Sequence, residues 1–328
     1  MGRARASSNS GETSTLGRAI NPPKGIVTDP ISGRRVVFAP HRDRRPGAPG
    51  ASTETAPDAE QDERCPFCEG HENETPPEML ALGTPPERAA DSPGWKVRVV
   101  PNLYPAFERQ QVVIHSPDHL RSLAELSPAQ LALVAQAWTE IADRAWKEGF
   151  DHVQALVNEG RAAGASRAHG HSQMVWLREP PPEIRAEQPR LEKGSCALCA
   201  LLANGREELA IAETASAGGR LCLLAAPVGR APYELLIAPL THEADGFGSS
   251  EQLALALGLA ADAVRRLREV AGAFPFNLWL HGFSGDGHWH LELVPRLNVF
   301  GGLELGAGIF VNTIAPEEAA ARLRALAL

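Results

Sequence analysis

Residues His169-Gly170-His171-Ser172-Gln173 hold two imidazoles and one amide at alternate positions. In an extended segment such residues share a face, so all three side chains are expected to point one way. Ahead of them runs Asn158-Glu159-Gly160-Arg161-Ala162-Ala163-Gly164-Ala165-Ser166-Arg167-Ala168. Small residues let the backbone come close to an anion and offer it N–H groups. Behind them, Met174-Val175-Trp176-Leu177 reads as a buried strand. The pattern predicts imidazoles and an amide beside a phosphate cradle, carried on a rigid strand. A lone histidine in such a place would be read as a surface residue or a hydrogen-bonded core residue; the cluster carries the functional reading.

A second chemistry lies in the cysteines. Of five, Cys65 and Cys68 form one C-x-x-C pair and Cys196 and Cys199 another, while Cys222 sits in an apolar run and reads as core. Each pair is followed by a histidine just after a proline, His119 or His242, and then by a His-x-His, beginning at His169 or His288. Two thiols and two imidazoles are the donor set of a closed tetrahedral zinc site. The expected ligands are Cys65, Cys68, His119 and His169 for one zinc and Cys196, Cys199, His242 and His288 for the other. With four protein ligands each, both sites would be structural. Zinc on His169 would also pin the neighbouring His171 on its strand.

The elements that must position these residues come in a repeating order. Each half reads C-x-x-C, strand, strand, proline with a following histidine, helix, strand, Gly-rich turn, His-x-His, at comparable distances along the chain. In the first half the strands are expected at about Trp95–Val100, Val112–His115 and Val153–Val157. A helix is expected over Pro128–Lys147, started by Ser127 and Pro128 and ended by Gly149. In the second half, strands at Leu221–Ala225, Glu234–Ile237 and Asn277–Leu280 surround a helix over Ser250–Ala271. The order predicts an α+β protein of two half-domains, mostly antiparallel, related by a pseudo-twofold axis. The boundaries read from it are a flexible tail at residues 1–23 and half-domains at 24–180 and 181–328. A strand–turn–strand is expected within 25–40, and a connector rich in Ala, Pro and Gly follows at about 47–63.

Composition narrows the function. The 328 residues carry a net charge of -8 and are 43% apolar. The chain can bury sizeable cores, and its acidic balance argues against nucleic acid as a partner. No apolar run reaches membrane-spanning length. The N-terminus lacks the apolar stretch of a secretory signal. A cytoplasmic location is expected, and in a cytosolic chain such cysteine pairs point to metal or redox chemistry more than to structural disulfides.

Several stretches together resemble the galactose-1-phosphate uridylyltransferase family of the histidine-triad superfamily and the related ADP-glucose phosphorylases. They are Pro40-His41-Arg42-x-x-Arg45-Pro46, Cys65-Pro66-Phe67-Cys68, Arg98-Val99-Val100-Pro101-Asn102-x-Tyr104-Pro105, Ser116-Pro117-Asp118-His119, Asn158-x-Gly160, Gly164-Ala165-Ser166, His169-x-His171-x-Gln173, His288-Trp289-His290 and Gly302-Leu303-Glu304-Leu305-Gly306. The resemblance implies nucleotidyl transfer through a covalent nucleotidyl-histidine. It places the nucleophile on His171 and a metal ligand on His169, and makes Gln173 the residue that holds the transferred phosphoryl group. Arg42, Arg45, Asn102, Asn158 and Ser166 match nucleotide- and phosphate-binding positions, with Ser166 a neutral donor beside Gln173. Two departures stand out. The family's commonest motif has Pro between the histidines and Gly before Gln, where this chain has Gly170 and Ser172. The serine recurs in the phosphorylase-like branch. The second C-x-x-C leans the same way, because the best-known uridylyltransferases bind iron there through a Glu and histidines. Glu187, His281, His290 and Glu292 are the candidates for that alternative.

The leading expectation is a UDP-glucose:hexose-1-phosphate uridylyltransferase acting on a nucleotide sugar and a sugar 1-phosphate, with two zinc ions, iron as the alternative at the second site, and a homodimeric assembly. An ADP-sugar phosphorylase is the alternative enzyme. A zinc-stabilised nucleotide-binding module without catalysis is the alternative of another class, and it has no need of a nucleophile at His171.

Overall fold

The computed structural model describes residues 27–28, 35–36 and 64–326. Arg42, Arg45, the tail at residues 1–23 and the connector at 47–63 lie outside the described residues. The short strands β1 (Val27–Thr28) and β2 (Arg35–Val36) pair antiparallel, as the strand–turn–strand reading of that segment requires.

All other strands among the described residues join one antiparallel sheet of ten. The first half supplies β3 (Leu80–Leu82), β4 (Val97–Pro101), β5 (Arg109–Ile114), β6 (His152–Glu159) and β7 (His171–Leu177). The second supplies β8 (Ala210–Ser216), β9 (Gly219–Ala225), β10 (Leu235–Pro239), β11 (Phe276–His281) and β12 (His290–Pro295). The order across the sheet is β3-β4-β5-β7-β6-β11-β12-β10-β9-β8, so from either edge the corresponding strands come in the same sequence. The halves meet where β6 pairs with β11, with Asn158 opposite Asn277.

Two long helices cover one face. Helix α1 (Pro128–Lys147) begins where the Ser127 hydroxyl accepts the Gln130 N–H, with Pro128 in the first turn, where a missing N–H costs nothing. It buries Leu131, Val134, Ala135, Ala137, Trp138, Ile141, Ala142 and Ala145, a stripe in which each residue finds another three or four positions away, and Gly149 leaves the helix with φ of 77°. Between the halves' strands run the short helices α2 (Pro182–Glu187), α3 (Ala197–Asn204) and α4 (Arg206–Leu209). Helix α5 (Ser250–Ala271) repeats the design of α1 with Ser249 as its cap. Helices α6 (Gly302–Ala307) and α7 (Pro316–Arg324) follow the last strand. One apolar core from both halves lies between the sheet and the helices α1, α5 and α7. The other face of the sheet carries smaller clusters, Trp95, Val100, Val112 and Ile114 in one half and Leu198, Cys222, Leu224 and Phe283 in the other.

The expected strands and both long helices are present within a few residues. Strand β3 and the short helices had no periodic pattern long enough to reveal them, and β8 carries too few large apolar residues to show one. Strand β7 begins at His171 and leaves His169 ahead of it, so the two imidazoles do not share one strand face.

Candidate functional site

Strand β7 sorts its side chains by alternation. Ser172, Met174 and Trp176 face the helices; His171 and Gln173 face the other way, into a cleft of about 110 Å³. Phe67, Thr75, Asn102, Ser166 and Arg167 also line it. Four of the expected residues thus meet in one place: Asn102, Ser166, His171 and Gln173. Asn158 lines a smaller neighbouring cavity, which shares Arg167 and His171 with the cleft. Phe67 and Thr75 escaped the sequence reading, and so did Arg167, although it lies between Ser166 and His169.

His171 is buried, and its Nδ1 stands 2.8 Å from the His169 carbonyl oxygen. A carbonyl can only accept, so Nδ1 carries the proton and the neutral ring keeps its lone pair on Nε2. The Phe67 ring meets the imidazole edge-on, with centroids 5.4 Å apart. The family-variant residues on either side are both used. Gly170 N–H donates to the Leu120 carbonyl at 2.7 Å, a bond that proline could not make. The Ser172 hydroxyl accepts from Trp138 Nε1 at 2.7 Å and lies 3.0 Å from His115 Nε2, tying the strand to α1. Burial, reinforced by the neighbouring histidines, pushes His115 down to about 3, so this ring is neutral.

The Gly-rich run forms one turn of 3₁₀ helix, Arg161–Ala163, between Gly160 and Gly164 at φ of 83° and 90°. A Cβ on Gly160 would also come within 2.9 Å of Pro275. The N–H groups of Ala163, Gly164 and Ala165 bond back to Gly160 and Arg161 within this turn. The expected cradle therefore does not draw on these three amides, and Ser166 and Arg167 are what the run brings to the cleft. Asn158 is held from the second half: Asn277 Nδ2 donates to Asn158 Oδ1 at 2.7 Å and to the Ala163 carbonyl at 2.8 Å. Asn102 closes its own turn by accepting the Tyr104 N–H at 2.9 Å. That settles the orientation of its amide, with Oδ1 in the turn.

Behind Phe67 lie Cys65, Cys68, His119 and His169, whose donor atoms fall within 4.8 Å of one another. Sulfur-to-Nδ1 distances are 3.3–3.6 Å. Zn–S bonds of about 2.3 Å and Zn–N bonds of about 2.0–2.1 Å at a tetrahedral angle give an edge of about 3.6 Å, so the donors fit the ion. His169 Nε2 lies 3.0 Å from the Ser116 carbonyl, which makes it the N–H and leaves Nδ1 to face the sulfurs. In the second half Cys196, Cys199, His242 and His288 assemble in the same way, with sulfur-to-Nδ1 distances of 3.3–3.5 Å, and His288 Nε2 meets the Pro239 carbonyl at 3.0 Å. The local scaffolds differ. Cys65 and Cys68 sit in a turn, whereas Cys196 caps α3 and Cys199 lies inside it. Burial pushes the Cys65 thiol up and the Cys199 thiol up to about 11, and it holds His169 and His288 down to about 4. A bound metal would displace the thiol protons and find both imidazoles neutral.

Glu187, His281, His290 and Glu292, the residues expected for the iron alternative, come together as a third cluster separate from the second cysteine set, with their donor atoms within 4.8 Å of one another. His281 Nδ1 pairs with Glu187 at 2.8 Å, and Arg230 bonds Glu292 and lies over the Trp279 ring. Burial alone would raise Glu292, but the His290 hydrogen bond and the His281 and Arg230 charges hold it down to about 2.

A sequence-family profile described as galactose-1-phosphate uridyl transferase, N-terminal domain, matches residues 104–181, which contain the cleft-facing histidine. ADP-glucose phosphorylase of Arabidopsis thaliana is 28% identical over 337 aligned positions, covering 92% of each chain. Galactose-1-phosphate uridylyltransferase of Thermotoga maritima is 25% identical over 235 positions, covering 65% of this chain and 73% of the relative. The crystal structure of the Arabidopsis ADP-glucose phosphorylase with bound ADP-glucose superimposes with a TM-score of 0.72 at 27% identity, over 93% of this chain and 99% of that one.

Proposed function

Because the chain belongs to the galactose-1-phosphate uridylyltransferase family, a family of nucleotidyltransferases, we propose that it moves a nucleoside monophosphate from a nucleotide sugar to a phosphate-bearing acceptor through a covalent bond to His171. One observation carries this reading: the His169 carbonyl holds the Nδ1 proton of His171, so that Nε2 bears the lone pair on a ring that faces the cleft beside Gln173. Nε2 attacks the α-phosphorus, a P–N bond forms, and the P–O bond to the departing sugar 1-phosphate breaks with its electron pair. The acceptor's phosphate oxygen then attacks the same phosphorus and restores the neutral imidazole. Charge grows on the phosphoryl oxygens in both steps, and Gln173, Ser166 and Arg167 are the donors the cleft provides. Asn102 and Asn158, with Arg42 and Arg45 from outside the described residues, are assigned to the nucleotide and its phosphates.

The finer reading from the sequence is uridylyl exchange between UDP-glucose and a hexose 1-phosphate. A second reading, ADP-sugar phosphorolysis with inorganic phosphate as acceptor, is supported by the match to the Arabidopsis phosphorylase over 92% of both chains and by the duplicated cysteine set. Zinc at the two Cys₂His₂ clusters would be structural, because four protein ligands leave no open position. The half-domain limits at 24–180 and 181–328 and a pseudo-twofold relation belong to this proposal, supported by the strand order. A cytoplasmic homodimer completes it. The absence of any disulfide among the five cysteines supports the location, and the exposed apolar residues Val299, Leu305 and Ile309 support self-association.

The test is incubation with labelled UDP-glucose and ADP-glucose separately, followed by intact-mass measurement. One nucleoside monophosphate per chain, acid-labile and base-stable, supports the reading and names the base. Strictly sequential kinetics with no adduct from either donor would reduce the protein to a binding module.

A further inference from the structure

We infer that Gln110, which lies outside the family motif, is a positioning residue that sets which end of the Gln173 amide faces the transferred phosphoryl group. The inference rests on the phosphoryl-holding role proposed for Gln173. Gln110 is on β5, opposite Val175 of β7, and Gln173 is opposite Val112. The two glutamines are therefore diagonal neighbours on the cleft face of adjacent strands, within reach of long side chains. Gln110 is buried, and Gln173 is half-buried at the cleft wall.

An amide has a donor end and an acceptor end, and its partners decide which way it points. The relay here has one fixed end. Ala106 N–H, a backbone group that can only donate, lies 2.8 Å from Gln110 Oε1. With that oxygen committed, Gln110 presents its NH₂, and Nε2 donates to Gln173 Oε1 at 2.7 Å. With its own oxygen turned toward Gln110, Gln173 is left with its NH₂ as the end to offer the cleft. A phosphoryl oxygen needs that donor and would be repelled by a carbonyl. The polarity of the Gln173 amide is thus decided by a backbone N–H in the turn after Tyr104, through one intervening side chain. The Asn277–Asn158 pair obeys the same rule: Arg296, a pure donor, takes Asn277 Oδ1 at 3.2 Å, and the Ala163 carbonyl, a pure acceptor, takes its Nδ2.

Gln110→Glu keeps an oxygen for Ala106 but replaces the donor with a second oxygen, so it favours a reversed Gln173 amide. Gln110→Met removes the relay while keeping the length of the side chain. Single-turnover adduct formation with UDP-glucose and ADP-glucose is measured in wild type, both variants, Gln173→Ala and the double variants. Gln110→Glu should slow formation at saturating donor by roughly 10²–10³-fold, the loss typical of one transition-state donor, with donor KM changed only a few-fold. Each double variant should be no slower than Gln173→Ala alone, a non-additivity that general loosening of the fold would not produce. Effects that multiply, or a Gln110→Glu rate equal to wild type, would overturn the inference. A second readout is independent of turnover. The side-chain NH₂ resonances of Gln173, identified by their loss in Gln173→Ala, should shift in both Gln110 variants; if they stay in place, the relay does not exist. Wild type that forms no adduct with either donor would sink the transfer reading, and the resonances would still decide the relay.

Discussion

Replacing His171 and His169 separately divides chemistry from architecture within one tripeptide. His171→Gly removes the Nδ1–H bond and leaves the carbonyl of the buried His169 unpaired, a cost of about 1–3 kcal/mol. It also removes the edge-on contact with Phe67, about 0.5–1.5 kcal/mol. Glycine within a strand adds about 0.5–1 kcal/mol. The sum is about 2–5.5 kcal/mol, which reaches only the lower end of the usual 5–15 kcal/mol of a folded domain. The variant should therefore fold, melt a few degrees lower, keep its full metal content and form no nucleotidyl adduct. His169→Ala acts on the other side. The ring is buried to 1% exposure, its Nε2 satisfies the Ser116 carbonyl, and its Nδ1 faces both sulfurs. An unpaired buried carbonyl costs about 1–3 kcal/mol, and a three-ligand site binds metal less well. This variant should lose about one metal ion per chain and much of its thermal stability, with activity falling as a consequence. Intact-mass trapping, elemental analysis and thermal melts on the same preparations make the comparison. A His171→Gly protein that still forms the acid-labile adduct, or a His169→Ala protein with unchanged metal content and Tm, would refute this division of roles.

Elemental analysis of desalted protein should find about two zinc ions per chain, and Cys65→Ser and Cys196→Ser should each remove about one and lower Tm; metal-free wild type melting at the same temperature would contradict both sites. Asn102→Ala should weaken nucleotide-sugar binding by about 0.5–1.5 kcal/mol, the scale of one hydrogen bond, by calorimetry, and unchanged affinity would remove Asn102 from the nucleotide site. Burial holds His152 down to about 4, and its buried Nε2 has no hydrogen-bond partner among the described residues. Its folded value lies below the unfolded value of about 6.5, so the unfolded chain binds the extra proton; stability is full above about pH 6.5 and is lost as pH falls toward 4, by at most about 1.4 kcal/mol per pH unit. His152→Gln should flatten the melting curve against pH in that window, and a parallel curve would refute the assignment.

Much of the site was legible because its chemistry is written in residue types at short spacing. The C-x-x-C pairs, the histidines after Pro117 and Pro239 and the two His-x-His motifs carry their ligand chemistry wherever they fold, and their repeated order along the chain pairs each thiol set with its histidines. The long helices were legible for a similar local reason, a serine cap followed by apolar residues at helical spacing. The strands β3 and β8 and the short helices were not: β3 spans only three residues, the short helices four to eight, and β8 holds a single large apolar residue, Ile211, so none shows a period to outweigh tertiary context. What the tertiary structure alone decided are the relations between distant residues. Strand β7 starts at His171 because the Gly170 N–H is held by Leu120, so His169 turns to the thiols while His171 turns to the cleft. Glu187, His281, His290 and Glu292 converge as a cluster of their own because β11 and β12 pair in register, His281 opposite His290. Gln110, Asn277 and Arg167 escaped notice in the sequence because an amide or a guanidinium has no motif: its role is set by which donor or acceptor packing places beside it.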